Sequence, residues 1–499
     1  MTRRQLLGLG VGAAHGPPGR SASTRRPNVL MLVADDLNTW TGLQHEASRA
    51  LTPSLNALAR RGTVFRNAYC ASPLCNPSRT AVLTGLAPWT SGIYENGHWW
   101  RPALPGVVTM PEFWRRNGYH AAGAGKVFHH TPGFNPPQVW DEFQTFRWDD
   151  PWDRPAATYI DVPPTPKPPG APYNGMAPPR HEFDWGALPK AEAEYGDARS
   201  VAFAERFLAQ PRTEPFFLAV GLFRPHLPWF TPKEYREAIS GDRFLPEMVD
   251  GDLNDVPAAG KRFAATGAAD FQRTRGMDQW PEAIRAYRAS IRFADALYGR
   301  VLRALERSGQ ADNTVIVFWS DNGFHMGEKE RFHKSTLWER ACRVPLLIAA
   351  PGQKAATVDA PVSLLDVYPT LAALCGLRPP SGLDGRDLAP VLRSPRRATT
   401  QAVVTGFQPG NFAVNDGRWR YIRYQDGGEE LYDLRSDPNE WTNLAGQPAM
   451  RAHMDRLARS IPAREAKPAP LKSAYRFDPV RYTWQPVAMT DSARPTQRN

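Results

Sequence analysis

The run NVLMLVA, Asn28 to Ala34, is apolar at almost every position and has the length of a strand. Alternation would mark a strand with one wet face, so an unbroken run predicts a parallel strand covered on both faces. It ends abruptly at Asp35-Asp36. TVIVFW, Thr314 to Trp319, repeats the pattern and ends in Ser320-Asp321-Asn322-Gly323, while FFLAVGLF (Phe216 to Phe223) and VPLLIAA (Val344 to Ala350) read as two further strands. Between Pro281 and Ser308 the spacing of Ile284, Tyr287, Ile291, Ala294, Tyr298, Val301, Leu302 and Leu305 predicts a long amphipathic helix, which Gly309 stops. Helix, turn, buried strand and polar loop in succession mark a parallel α/β sheet.

Elsewhere the pattern changes. Residues 132–185 are rich in proline and tryptophan without a period, which predicts a long ordered excursion with little regular structure. QAVVTGF, RWRYIRYQ and EELYDL alternate as short antiparallel strands do, so a smaller C-terminal α+β domain is expected from about residue 396. The division is then 1–25 as signal or tail, 26–395 as the main domain and 396–499 as C-terminal subdomain and tail. Thr2-Arg3-Arg4-Gln5-Leu6-Leu7 resembles a twin-arginine export signal, which implies a periplasmic or secreted protein; without export it is cytoplasmic. No apolar stretch reaches the roughly 18 residues of a membrane span.

Composition adds three constraints. The 49 prolines in 499 residues are about twice ordinary usage and favour ordered loops. The formal charge of +11 favours anionic partners, but no basic run or aromatic RNA-binding motif points to nucleic acid. Cysteines 70, 75, 342 and 375 are too few for a disulfide framework and lack Cys-x-x-Cys spacing.

Ligands of open α/β sheets bind beyond the carboxyl ends of strands, where Asp35-Asp36 and Asp321-Asn322 both stand. Alone, each pair is equally a helix cap or turn. Brought together, they are hard oxygen donors suited to Ca²⁺ or Mg²⁺. In SPLCNPSRTAVLTG, Pro77 is a first-turn residue, which places Cys75 just before a helix N-terminus that favours anions.

Cys75-Asn76-Pro77-Ser78-Arg79, with Leu83-Thr84-Gly85 downstream, resembles the signature of the type I sulfatases. In that family a formylglycine-generating enzyme oxidises the cysteine to Cα-formylglycine. Leu86 departs from the Arg or Lys often found at that position, a peripheral part of the modification signal. The resemblance runs from Asn28 to about Leu444: GKVFHH (Gly125 to His130) and RPHLPW (Arg224 to Trp229) look like sulfate-binding segments, and Trp319 to Leu346 like the second metal loop with its lysine. The Lys-Val-Phe-His and Arg-Pro-His-Leu-Pro segments most resemble the iduronate-2-sulfatase-like branch, although that branch often has His where this chain has Asn322.

The resemblance implies an alkaline-phosphatase-like fold, a large mixed, mainly parallel sheet flanked by helices. It implies metal ligation by Asp35, Asp36, Asp321, Asn322 and the modified Cys75, with Arg79 on the formylglycine hydrate and Lys126, His129, His226 and Lys334 around the sulfate. The substrate is then an anionic sulfated small molecule or saccharide. Fixed cations suit the reaction because negative charge grows on the departing alkoxide. Within this scheme Asp36 accepts a proton, His226 is the general acid and His129 the base, the two histidine roles being exchangeable. His98, Trp99 and Trp100 line a sugar subsite or simply pack. Two alternatives stand beside this reading: a phosphatase or phosphonate monoester hydrolase of the same superfamily, and a non-catalytic carbohydrate-binding protein with an unmodified Cys75.

Overall fold

The computed structural model describes residues 26–130, 133–144, 174–176, 183–188, 191–398 and 401–487. The twin-arginine pattern and most of the proline-rich segment lie outside them.

A nine-stranded sheet organises the chain, in the order Ala356–Val358, Thr63–Tyr69, Arg343–Ala349, Thr314–Ser320, Asn28–Ala34, Phe216–Gly221, His120–Gly125 and Glu142–Gln144, with Val362–Ser363 also paired to Thr63–Tyr69. Only Arg343–Ala349 runs against the others. The sheet is therefore mixed and mainly parallel. Glu142–Gln144, inside the segment read as an irregular excursion, adds a parallel edge strand to His120–Gly125.

Both faces of the sheet are covered, which is the physical reason for the unbroken apolar runs. Leu30 and Leu32 point into a core shared with the helices Gly196–Ala209 and Trp280–Arg307. Val29, Met31 and Val33 point into a second core with Cys75–Thr84, Met110–Arg116 and Val367–Leu374. The long helix falls one residue from its predicted start and end, a normal fraying of boundaries.

Register decides where the chemistry sits. Ala34 lies opposite Ser320, Val33 opposite Gly221, and Gly125 opposite Gly221, so four adjacent parallel strands finish level. The loops after them carry Asp35-Asp36, Asp321-Asn322, Lys126–His129 and His226. Gly125 has φ +76, and a Cβ there would stand 1.9 Å from the Gly221 carbonyl oxygen. Only glycine lets the chain turn tightly enough to deliver Lys126.

The C-terminal antiparallel sheet, Val403–Gly406, Phe412–Asn415, Trp419–Arg423 and Glu429–Asp433, packs against the helix Arg451–Ala458 through Met454 and Leu457. The chain then crosses back. Ala466 and Ala469 donate to the carbonyls of Trp89 and Gly92, and a hairpin, Tyr475–Asp478 with Thr483–Pro486, ends against Trp99. The sequence pattern, which predicts only a C-terminal subdomain and tail over 396–499, carries no sign of this return. No helix among the described residues is long and apolar enough to cross a membrane.

Candidate active site

The helix Cys75–Thr84 begins at the cysteine itself, with Leu74 as its N-cap, one position earlier than the proline suggested. All ten of its residues are buried. The Cys75 thiol stands 3.5 Å from Asp35 Oδ1, 2.9 Å from Lys334 Nζ and 3.9 Å from Lys126 Nζ. One pocket thus gathers residues from four places in the chain.

The acidic half is compact. Asp35, Asp36 and Asp321 offer carboxylate oxygens that all lie within 4.8 Å of one another. Asp321 Oδ1 accepts from the Asp36 N–H at 3.1 Å. Asp36 holds a left-handed backbone (φ +59), fixed by the Tyr287 hydroxyl, which donates to the Asp36 carbonyl at 2.7 Å and accepts from Asn38 N–H at 2.9 Å. Strain of this kind, on the order of 1–3 kcal/mol, collects at functional sites. The Asn322 amide donates to Asp36 Oδ1 and the Gly323 carbonyl, while its buried Oδ1 has no hydrogen-bond partner among the described residues. Three carboxylates and an orphaned amide oxygen in one buried cradle are the donors a hard divalent cation takes. The cysteine sulfur beside them is a poor ligand for such an ion, and an oxygen there would fit better.

The basic half faces them. Lys126 Nζ donates to Asp35, and Lys334 Nζ to Asp36. Lys334 sits between two left-handed residues, His333 (φ +72) and Ser335 (φ +70). Arg79 turns toward the acidic loops: its Nε donates to Asp321 Oδ2 at 2.7 Å, its Nη2 lies 3.4 Å from Asp35, and its guanidinium also donates to the carbonyls of Ala34, Lys126 and Val127. It ties the acidic loops together.

Burial opposes every charge in the pocket. For Asp35 it is outweighed by Lys126, His226, Arg79 and Lys334, which hold the carboxyl well below its usual range. For Asp321 burial wins and raises the pKa to about 7, with Arg79 opposing and the neighbouring aspartates adding. Burial also pushes the Cys75 thiol up, so the unmodified cysteine is not a thiolate nucleophile. Lys334 is held above its usual range because Asp36 and Cys75 overcome its burial.

The histidines complete the rim. His226 Nδ1 donates to the Leu227 carbonyl at 2.5 Å, which leaves Nε2, 3.6 Å from Asp36, as the exchangeable position. Burial lowers the pKa of His226, with Asp36 opposing, and lowers that of His129 well below the ordinary value, with His130 and Lys126 adding. His130, to which the sequence assigned no role, packs on His129 at 4.4 Å and belongs to the same pocket. Trp99 and Trp100 are buried against Phe134 and Phe128 and serve as packing, not as an open sugar platform. Asp197 and Tyr287, which fix the loops from behind, carry no sequence signal of function.

The family model "Sulfatase" matches residues 27–377, and the model "N-sulphoglucosamine sulphohydrolase, C-terminal" matches residues 327–467. The chain belongs to the sulfatase family. It is a sulfuric ester hydrolase, and its reaction is hydrolysis of a sulfate monoester. A sulfatase of Formosa agariphila is 34% identical, covering 91% of this chain and 90% of the relative. Human iduronate 2-sulfatase is 29% identical over 76% of this sulfatase and 75% of its own length. The phosphonate monoester hydrolase of Agrobacterium radiobacter, 23% identical, superposes with a TM-score of 0.70 over 87% of this chain and 95% of its own, which places the fold in the alkaline-phosphatase-like class.

Proposed function

We propose that this sulfatase acts on a sulfated saccharide through a formylglycine hydrate at position 75 and a Ca²⁺ ion, Mg²⁺ being the second candidate. The observation that carries the proposal is the shared pocket: the modifiable Cys75 lies within 3.5 Å of both an all-oxygen cation cradle and the Lys334 ammonium. Asp35, Asp36, Asp321 and Asn322 would hold the cation, with an oxygen at position 75 completing the set. The printed name of the human relative, iduronate 2-sulfatase, supports a sugar as the alcohol.

When bound, the cation neutralises sulfate charge and lowers the pKa of a bound oxygen. Formylglycine, once hydrated by one water, would supply two hydroxyls on one carbon, one to attack sulfur and one whose deprotonation expels sulfate and restores the aldehyde. The chain's own residues do the rest. Lys126 and Lys334 bind the sulfate oxygens and oppose the charge that grows during S–O cleavage. Arg79 keeps Asp35 and Asp321 in register. Asp36 takes the proton of the attacking hydroxyl. His226 delivers a proton from Nε2 to the leaving alkoxide, and His129 withdraws one from the second hydroxyl.

The catalytic unit is 26–395, with 396–499 as its C-terminal subdomain. A formylglycine-generating enzyme is required for maturation, and the twin-arginine pattern assigns the product to the periplasm or the exterior. Co-expression with that enzyme, followed by kcat/KM on 4-nitrophenyl sulfate, 4-nitrophenyl phosphate and a phenylphosphonate monoester, tests the proposal. Sulfate is expected to be preferred over the phosphate by at least about tenfold, since the phosphate monoester carries a second charge on the transferred group, and over the phosphonate monoester, which carries one charge as the sulfate does, because its phosphorus bears a phenyl group in place of an oxygen that Lys126 or Lys334 would bind. A preference for either phosphorus ester would overturn it.

A further inference from the structure

Lys334 is carried by a backbone that resists its own geometry. His333 and Ser335, on either side, take φ +72 and +70, a region that residues other than glycine keep only where the surroundings fix it. The preceding strand, Phe332–His333, pairs with His325–Met326 in a ladder of two residues, too short to enforce that geometry by itself. A second element does the fixing. The helix Ala258–Gly276 lies against this hairpin and meets it at three places.

Arg331 is the first link. It is fully buried, and it donates through Nε to the Phe332 carbonyl at 2.9 Å and through Nη2 to the Lys334 carbonyl at 2.6 Å. Its other donors reach the helix, Nη1 at the Phe263 carbonyl and Nη2 at Thr266 Oγ1, 3.2 Å away. Burial lowers its pKa to about 9 with no carboxylate opposing. A buried guanidinium bonded only to neutral oxygens is costly to the fold, so its planar fork is kept for joining two backbones. The second link is His333, whose Nε2 donates to Asp270 Oδ2 at 2.6 Å, about two turns further along the helix. The third is an absence of side chain: a Cβ on Gly267, in mid-helix, would stand 2.1 Å from the Phe332 carbonyl oxygen and 3.0 Å from Arg331 Nη2. Only glycine admits the hairpin this closely. Beyond Lys334 the chain is tied toward the reacting position, since Ser335 N–H donates to the carbonyl of Pro73 at 3.2 Å, two residues before Cys75.

We propose that the helix Ala258–Gly276 aims Lys334 at the reacting group on residue 75, with Arg331 and Asp270 as positioning residues that hold the backbone of 333–335. This rests on the reading in which Lys334 acts on the sulfate. The test is a set of double-mutant cycles on formylglycine-converted enzyme with 4-nitrophenyl sulfate: Arg331→Met, Asp270→Ala and Asp270→Asn, each with Lys334 present and each combined with Lys334→Ala. With Lys334 present, Arg331→Met and Asp270→Ala are expected to lower kcat by about tenfold or more while KM changes by less than about threefold, since a displacement of about 1 Å suffices for such a loss. Asp270→Asn still accepts from His333 and is expected to keep kcat within about threefold. Combined with Lys334→Ala, the same substitutions are expected to change kcat by less than about twofold, because the group they aim is gone. Equal losses with and without Lys334, or full kcat in both Arg331→Met and Asp270→Ala, overturn the inference alone. If Arg331→Met does not fold by circular dichroism, the Asp270 variants decide, and an Asp270→Ala that also fails to fold assigns a structural role and overturns the inference. A Lys334→Ala enzyme as fast as the wild type overturns the reading of Lys334 in the pocket and the inference with it.

Discussion

Asp197→Asn reaches the proposed general acid without touching it. Asp197 is buried in the first turn of the helix Gly196–Ala209. Its Oδ1 accepts from Phe223 N–H at 2.6 Å, and its Oδ2 accepts from Arg224 N–H at 3.1 Å and Arg224 Nη1 at 3.3 Å. Arg224 also donates through Nε and Nη2 to the Phe230 carbonyl at 3.1 and 2.8 Å. This clamp closes residues 223–230 around His226. Asparagine keeps the volume, but its NH₂ faces N–H donors and the buried Arg224 charge loses this carboxylate, a cost of about 3–5 kcal/mol. A loop released by about 1 Å costs on the order of a hundredfold in rate. Urea unfolding measures the first effect. The second is read from kcat on two esters, because 4-nitrophenolate leaves without a proton whereas a sugar alkoxide needs one. The expected outcome is a large loss on the sugar sulfate and a much smaller loss on 4-nitrophenyl sulfate. Equal losses on both, or unchanged stability, would refute the reasoning.

Three further outcomes follow from the same contacts. Lys334→Ala is expected to lower kcat by on the order of 10²–10³-fold or more with the fold intact by circular dichroism, since it removes a fixed cation from the reacting centre. Chelation with EDTA is expected to abolish turnover and Ca²⁺ to restore it, with a stability gain of about 2.7 kcal/mol at roughly a hundredfold excess over Kd. Asp295 accepts from Ser54 and Leu55 N–H at 2.8 and 2.9 Å, yet burial raises its pKa to about 6. Its protonated form is favoured on folding, so the stability it contributes is present below the unfolded carboxyl range and is lost as pH rises to about 6. A shift from 3.8 to about 6 is worth on the order of 3 kcal/mol. Melting curves of Asp295→Asn across that window should be flatter than those of the wild type.

The sheet was legible because a strand buried on both faces must be apolar throughout, and NVLMLVA and TVIVFW have that form. Their carboxyl ends then named the acidic loops. The single reversed strand, Arg343–Ala349, is legible as a strand but not in its direction, because an apolar run is the same in either sense. The helices Gly196–Ala209 and Ala258–Gly276 were not singled out, and the return of residues 466–487 depends on partners nearly 400 positions earlier that no local pattern encodes. Within the site, Cys75, Lys126, His226 and Lys334 could be named from motif register. His130, Tyr287 and Asp197 could not, since each matters through what the fold sets against it. Arg79 was placed in the right pocket, and only its hydrogen bonds to Asp321 and the strand-end carbonyls show what it holds.

The central claim, that position 75 acts as an aldehyde hydrate beside a cation, is tested most directly by peptide mass measurement across residue 75 on enzyme of known specific activity. Activity is expected to scale with the fraction of peptide about 18 Da lighter than cysteine, and to vanish when none is converted. Full turnover of a sulfate ester by protein whose residue 75 is entirely thiol would contradict it.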